Sequence, residues 1–247
     1  MRVALLLSGQ MRTFDDPEVV KKYYELLINP LNADIFISTW ANRGVSWCHG
    51  SPSNSVDSSK ENINIEDIKS VYTKNLIAVD IENLGTYEKS IPDEIKDIYI
   101  NGFEWCNMKI KGTSVPQLYK IKKVNKMKMD YENANGFKYD LVIRSRPDNI
   151  IMEPISSRYL EKLNTHIYAI NCPGTFYPNR IYDIFFYGSS ENMDKLSDTY
   201  NNIKMLENDS FNNGLHQRDT CRLLYVQAIK NGLQIVDMDY NICFIKR

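Results

Sequence analysis

The opening stretch of the chain constrains its fold more than any other feature. Val3 to Leu7 is a continuous apolar run, ended at once by Ser8-Gly9-Gln10. Such a run reads as a strand buried on both faces. A helix start follows. Asp15 or Asp16 can cap it, Pro17 suits its first position and Glu18 favours the positive end of the helix dipole. Val20, Tyr23, Tyr24 and Leu27 then share a face, and Pro30 is expected to end the helix. Asp34 to Trp40 reads as a second strand. Strand, helix and strand in this order form a parallel βαβ unit, which commits the chain to an α/β fold with a mostly parallel central sheet flanked by helices.

The rest of the chain continues the alternation. Helices are expected at Ile65–Tyr72, from Pro92 to Ile98, from Pro116 to Tyr131 with a stop at Asn135-Gly136, from Glu191 to Leu206, and from Thr220 to Ile229 before Asn231-Gly232. Strands are expected at Leu76–Ile81, Tyr139–Ile143, Ile167–Ile170, Ile184–Tyr187, Leu233–Val236 and Ile242–Ile245. Residues 41–60, rich in Ser, Asn and Gly, read as a long mobile surface loop. No repeat or linker interrupts the pattern. One domain over residues 1–247 is therefore expected, its ligand-binding half at about 1–150 and a second half at about 151–247.

Composition narrows the function. The 30 basic and 31 acidic residues nearly cancel, which argues against a dedicated nucleic-acid binder. The five cysteines are widely spaced, form no Cys-x-x-Cys pair and fit a reducing, cytoplasmic compartment. The Val3–Leu7 run is too short for the apolar core of a signal peptide, and no segment reaches a membrane-spanning length, so no membrane insertion is expected.

Two constellations carry chemistry. Ser8-Gly9-Gln10-Met11-Arg12 follows the first strand, at the end of a parallel sheet where ligands bind. Its backbone N–H groups and the Arg12 fork suit a phosphate. The segment is neither Gly-x-Gly-x-x-Gly nor a Walker A loop, which counts against a dinucleotide-dependent oxidoreductase and leaves a methyltransferase only as an alternative. The second constellation, Arg144-Ser145-Arg146-Pro147-Asp148, crowds two guanidiniums and a carboxylate where an apolar strand emerges. Such groups must be solvated, paired or bound to a ligand. A carboxylate there could hold Mg2+ or Mn2+ against a diphosphate, or simply form an internal salt bridge. Lys120, early in the helix that precedes this strand, adds a candidate positive charge. Asp183 and Asp219 are candidate bases for taking a proton from a hydroxyl, although Asp219 also suits a helix N-cap. Trp40, Trp47, Tyr177 and Tyr182 are aromatic surfaces on which a sugar ring could stack.

The segments Ser8-Gly9-Gln10-Met11-Arg12-Thr13-Phe14, Asp34-Ile35-Phe36-Ile37-Ser38-Thr39-Trp40 and Tyr139-Asp140-Leu141-Val142-Ile143-Arg144-Ser145-Arg146-Pro147-Asp148 together resemble a family of small GT-A-like glycosyltransferases of large algal viruses and bacterial surface-polysaccharide clusters. The resemblance extends to Tyr182–Gly188 and to the closing Cys243–Arg247. It implies a single-domain GT-A-like, Rossmann-like fold. It implies a nucleotide-diphosphate sugar donor, UDP-sugar favoured, held by Ser8, Gly9, Gln10, Arg12, Thr39, Trp40, Lys120, Arg144, Arg146 and Asp148. The acceptor would be a glycan or glycoprotein hydroxyl, and a viral member would work in the host cytoplasm. Asp148 matches the last acid of the family's Asp-x-Asp motif and would carry Mn2+ or Mg2+. Arg146 stands where the motif has its first acid, a departure that leaves open an arginine neutralising the phosphate directly, or a module that binds nucleotide sugar without turnover. His216 could complete a metal shell, as a late histidine does in some GT-A enzymes, or be simply a lone exposed histidine.

Overall fold

The computed structural model describes residues 1–44, 62–105, 108–110, 114–170, 179–209, 218–238 and 243–245. The loop expected over residues 41–60 falls mostly outside these, as do Trp47, Tyr177 and His216.

Strand β1 (Val3–Gly9) leads into α1 (Pro17–Tyr23), a π-helical turn (Tyr24–Ile28) and α2 (Asn29–Leu31), then β2 (Asp34–Trp40). Helix α3 (Ile65–Val71) precedes β3 (Leu76–Glu82). Helices α4 (Leu84–Lys89) and α5 (Asp93–Asn101) and the hairpin β4 (Phe103–Trp105) and β5 (Met108–Ile110) lead to the long helix α6 (Ser114–Asn135). Strands β6 (Leu141–Ser145), β7 (Asn149–Ile151), β8 (His166–Ile170) and β9 (Phe185–Gly188) follow. Helices α7 (Ser190–Ser197), α8 (Thr199–Glu207) and α9 (Thr220–Lys230) come next, and β10 (Gln234–Met238) and β11 (Cys243–Ile245) close the chain.

Seven strands form one sheet in the order β10-β8-β9-β6-β1-β2-β3. Among its described strands β9 alone runs antiparallel to its neighbours. The result is a mixed α/β fold with a mostly parallel central sheet flanked by helices, as the opening βαβ unit requires. Alternate side chains of β1 feed opposite faces. Ala4 and Leu6 join one core with Val115, Leu118, Ile121 and Val124 of α6. Val3, Leu5 and Leu7 join the other with Val19 and Tyr23 of α1. This double burial is why the strand reads as continuously apolar. Among the described residues, no helix is long and apolar enough to cross a membrane.

The first crossover departs from expectation in a physically clear way. Asp16 caps α1 as anticipated, its Oδ1 accepting from the Glu18 and Val19 N–H groups at 2.9 and 3.3 Å. Pro30, however, does not stop the helix. The backbone widens into a π turn over Tyr24–Ile28, with the Asn29 N–H donating to the Tyr24 carbonyl, and the helix ends two residues later at left-handed Asn32. The wider turn accommodates a proline that has no N–H to give. It also rotates the buried face to Val19, Tyr23, Leu27 and Ile28, leaving Val20 half-buried. The helix expected from Glu191 to Leu206 is two helices meeting at Asp198. Helix α4, the hairpin β4–β5 and β7 were not anticipated; each is short and gives little periodicity to read.

Candidate functional site

The strand order reverses beside β1. From β1 the chain moves outward to β2 and β3, then returns through α6 to β6 on the other side of β1. The crevice beyond the carboxyl ends of β1 and β6 is therefore a topological switch point, the usual ligand position in an open α/β sheet. A pocket of about 300 Å³ opens there. Ser8, Gly9, Gln10 and Arg12 come to it from the exit of β1, Trp40 from β2, Arg144 and Arg146 from the exit of β6, and Pro116 and Gln117 from the first turn of α6. Leu84, Glu88 and Tyr99 form the facing wall.

Local backbone geometry sets the first loop. Gly9 has φ +116° and Arg12 φ +37°, the latter uncommon for a residue with a side chain. Arg12 is held there by its own N–H donating to the Arg43 carbonyl at 2.9 Å and by Arg43 Nε donating to the Arg12 carbonyl at 2.5 Å. On the β6 side, Tyr23 from α1 reaches beneath the sheet exit. Its hydroxyl bonds Ser145 Oγ at 2.6 Å and the Arg146 carbonyl at 2.7 Å, while Asn149 Nδ2 donates to Ser145 Oγ and the Ile184 carbonyl. These contacts fix the Arg146–Asp148 turn.

Charge on this wall is unevenly matched. Asp148 has no exposed side-chain surface. Its Oδ1 accepts from Arg146 Nε at 2.9 Å, and its Oδ2 accepts from Arg146 Nη2 at 2.8 Å and Arg12 Nη1 at 2.9 Å. Arg144 lies 1% exposed, its Nε donating to Ser8 Oγ at 3.0 Å and its Nη2 to the Ser8 carbonyl at 3.2 Å. Its Nη1 is buried without a hydrogen-bond partner among the described residues, as is Nε of Arg12. Burial pushes Arg144 below its ordinary pKa, with the charge of Asp183 the largest opposing influence. Burial also opposes the charge on Arg146, but Asp148 and Asp183 outweigh it and raise that pKa. A buried guanidinium with an unfilled donor is costly unless something accepts from it. An anion in the crevice would meet three guanidiniums.

The remaining expected residues separate. Thr39 is buried and donates to the Gly9 carbonyl at 2.8 Å, bracing the first loop from behind. Lys120 is buried away from the pocket, its Nζ 3.0 Å from Asp80, 2.7 Å from Glu82 and 4.2 Å above the Trp40 ring. Burial lowers its pKa, against the two acids. Gln117, one turn earlier on α6, takes the pocket position instead. Its Nε2 donates to Asp183 and its Oε1 accepts from Thr220 Oγ1 at 3.2 Å. Asp183 thus sits behind Gln117 and also accepts from Cys221 Sγ at 3.4 Å. Asp219 occupies the N-cap position of α9 and pairs with Arg180 at 3.1 Å. Burial raises its pKa to about 6 despite that arginine.

The donor set does not fit a divalent ion at Asp148. Both of its oxygens are already bonded to guanidiniums, and two cations flank it. Among the described residues no three His, Cys, Asp or Glu side chains gather into a metal-binding group. Gln117, Arg180 and Cys221 escaped the sequence reading because nothing in local spacing ties α6 and α9 to the entrance of β9; the Pro116-Gln117 helix start was the available signal.

Fold and site together define an α/β protein with three arginines in the crevice at its switch point. Comparison with protein-family models and with curated protein sequences gives no match.

Proposed function

We propose that the chain is a glycosyltransferase whose switch-point pocket takes a nucleotide-diphosphate sugar, with a UDP-sugar favoured, and whose acceptor is a hydroxyl of a glycan or glycoprotein. The observation that carries this reading is the gathering of Arg12, Arg144 and Arg146 in the lining of one pocket where β1 and β6 end. A diphosphate offers such a cluster both acceptor oxygens and negative charge. Trp40, Leu84 and Tyr99 offer apolar and aromatic surface for the nucleoside or sugar ring. As the glycosidic bond breaks, charge develops on the leaving diphosphate, and guanidiniums already oriented at that place stabilise it. Asp183, beside the pocket through Gln117, and Asp219, poised by burial near neutrality, are the candidates to take the acceptor proton. The spaced cysteines support a cytoplasmic setting.

A thermal-shift panel with UDP, GDP and dTDP, and with NAD and S-adenosylmethionine, tests the binding half of the reading. Stabilisation by a nucleoside diphosphate that is weakened in Arg144→Met supports it. Stabilisation by NAD or S-adenosylmethionine alone refutes it. Hydrolysis of donor sugars then separates an enzyme from a module that binds without turnover.

A further inference from the structure

The carboxylate that the family resemblance would give to a metal is spent on arginines. Asp148 is enclosed, and its Oδ1 and Oδ2 accept three hydrogen bonds from Arg146 and Arg12 at 2.8–2.9 Å. The position two residues earlier, where a second metal-binding acid would stand, is Arg146 itself. The next acid on this wall, Asp183, has one oxygen bonded by Gln117 and the other by Cys221. Glu88, on the facing wall, accepts from the Tyr99 hydroxyl. A divalent cation entering here would have to strip guanidiniums from Asp148 and then sit among Arg12, Arg144 and Arg146. Hard cations take several oxygen ligands, and like charges at this distance repel.

From this juxtaposition we infer that the pocket binds the diphosphate of its donor without a divalent metal: Arg12 and Arg146 do the metal's electrostatic work, and Asp148 is the positioning residue that locks both guanidiniums toward the anion. The inference rests on the donor reading above and adds to it how the leaving group is neutralised. Arg146 is aligned by a two-point fork with Asp148, the geometry in which arginine is held most rigidly. Arg12 is aligned by Asp148 on one nitrogen and by Gln10 Oε1 at 2.9 Å on another. Both side chains line the pocket and keep part of their surface open to a phosphate, 20% for Arg12 and 18% for Arg146. A point-charge metal would need open carboxylate oxygens; a fork needs them closed.

The test is calorimetric titration of UDP into the parent chain, once in EDTA and once in millimolar Mn2+, with Mn2+ alone followed by electron paramagnetic resonance. The inference expects UDP affinities in the two titrations to agree within about threefold and no stoichiometric Mn2+ uptake by the protein alone. Arg146→Gln is expected to weaken UDP in EDTA by about 10- to 100-fold, the scale of one charge-assisted hydrogen-bond pair. Should that variant fail to fold, the two parent titrations decide. UDP binding that tightens tenfold or more with Mn2+ overturns the metal-free clamp and leaves the donor reading standing. Parent-like UDP affinity in folded Arg146→Gln also overturns the clamp alone. Absence of UDP binding in both titrations removes the donor reading and the clamp with it.

Discussion

Replacing Asp148 with Asn keeps the side chain's size and removes its charge. The amide retains one acceptor oxygen, enough for Arg146 Nε, and turns the other into a donor facing Arg146 Nη2 and Arg12 Nη1. Two of three charge-assisted hydrogen bonds are lost, each typically contributing about 1.5–3 kcal/mol. Breaking a fully buried ion pair costs about 3–5 kcal/mol. Here the Arg12 and Arg146 side chains keep 20% and 18% of their surface, so water recovers part of the loss. A destabilisation of about 3 kcal/mol results, which for a chain of this size lowers Tm by roughly 6–12 °C. Urea unfolding followed by circular dichroism and tryptophan fluorescence measures it. The same unfolding in saturating inorganic pyrophosphate sharpens the test. With the carboxylate that aligns Arg12 and Arg146 gone, the anion should bind less tightly and stabilise Asp148→Asn less than the parent. A folded variant as stable as the parent, with an unchanged pyrophosphate response, would refute the pairing of Asp148 with the two arginines as a stabilising and positioning contact.

Asp219 sets a pH dependence. Its folded pKa of about 6 lies above the unfolded value of about 3.9, so the folded state binds the proton more tightly. The associated stability is present below pH about 4 and is lost as pH rises to about 6. Asp219→Asn should lack this component, roughly 1–3 kcal/mol in a comparison of urea midpoints across that window; parallel parent and variant profiles would count against it. Lys120→Met removes one of the two lysines paired with Asp80 and Glu82, leaving Lys123 at 2.9 and 2.5 Å with the Ser38 and Tyr119 hydroxyls, and should cost about 2–4 kcal/mol by equilibrium unfolding. Gly188→Ala would set a methyl 2.9 Å from Ile167 Cδ1 and 3.1 Å from the His166 carbonyl oxygen. A loss of about 1–3 kcal/mol in urea unfolding is expected.

What the sequence revealed follows from the range of the interactions that place each residue. Arg12, Arg144 and Arg146 reach the pocket because each lies within a few residues of a strand end, and strand ends are written locally as apolar runs that stop. The bounds of β2 were legible for the same reason. Lys120 was not. Its spacing on α6 is that of a solvated lysine, and only the packing of α6 across β1 and β2, with β3 alongside, brings Asp80 and Glu82 within its reach. Lys128 and Glu132 are likewise fully buried and paired at 3.2 Å in a helix whose lysines read as a polar face. The bonding of Asp148 could not be read either, since Arg12 is remote in sequence and meets it only when β1 and β6 lie side by side.

The reversed direction of β9 has a consequence for how such a chain can diversify. The pocket arginines are encoded at the ends of β1 and β6, whereas Arg180, Tyr182 and Asp183 are encoded just before β9. The arginines and the carboxylate behind Gln117 therefore lie on separable stretches of sequence, one written at exits and one at an entrance. Grafting a different 179–184 segment changes the carboxylate side while the Val142↔Gly188 to Ser145↔Phe185 register holds the strand in place. A lineage, or an engineer, can vary the carboxylate side without rewriting the arginines.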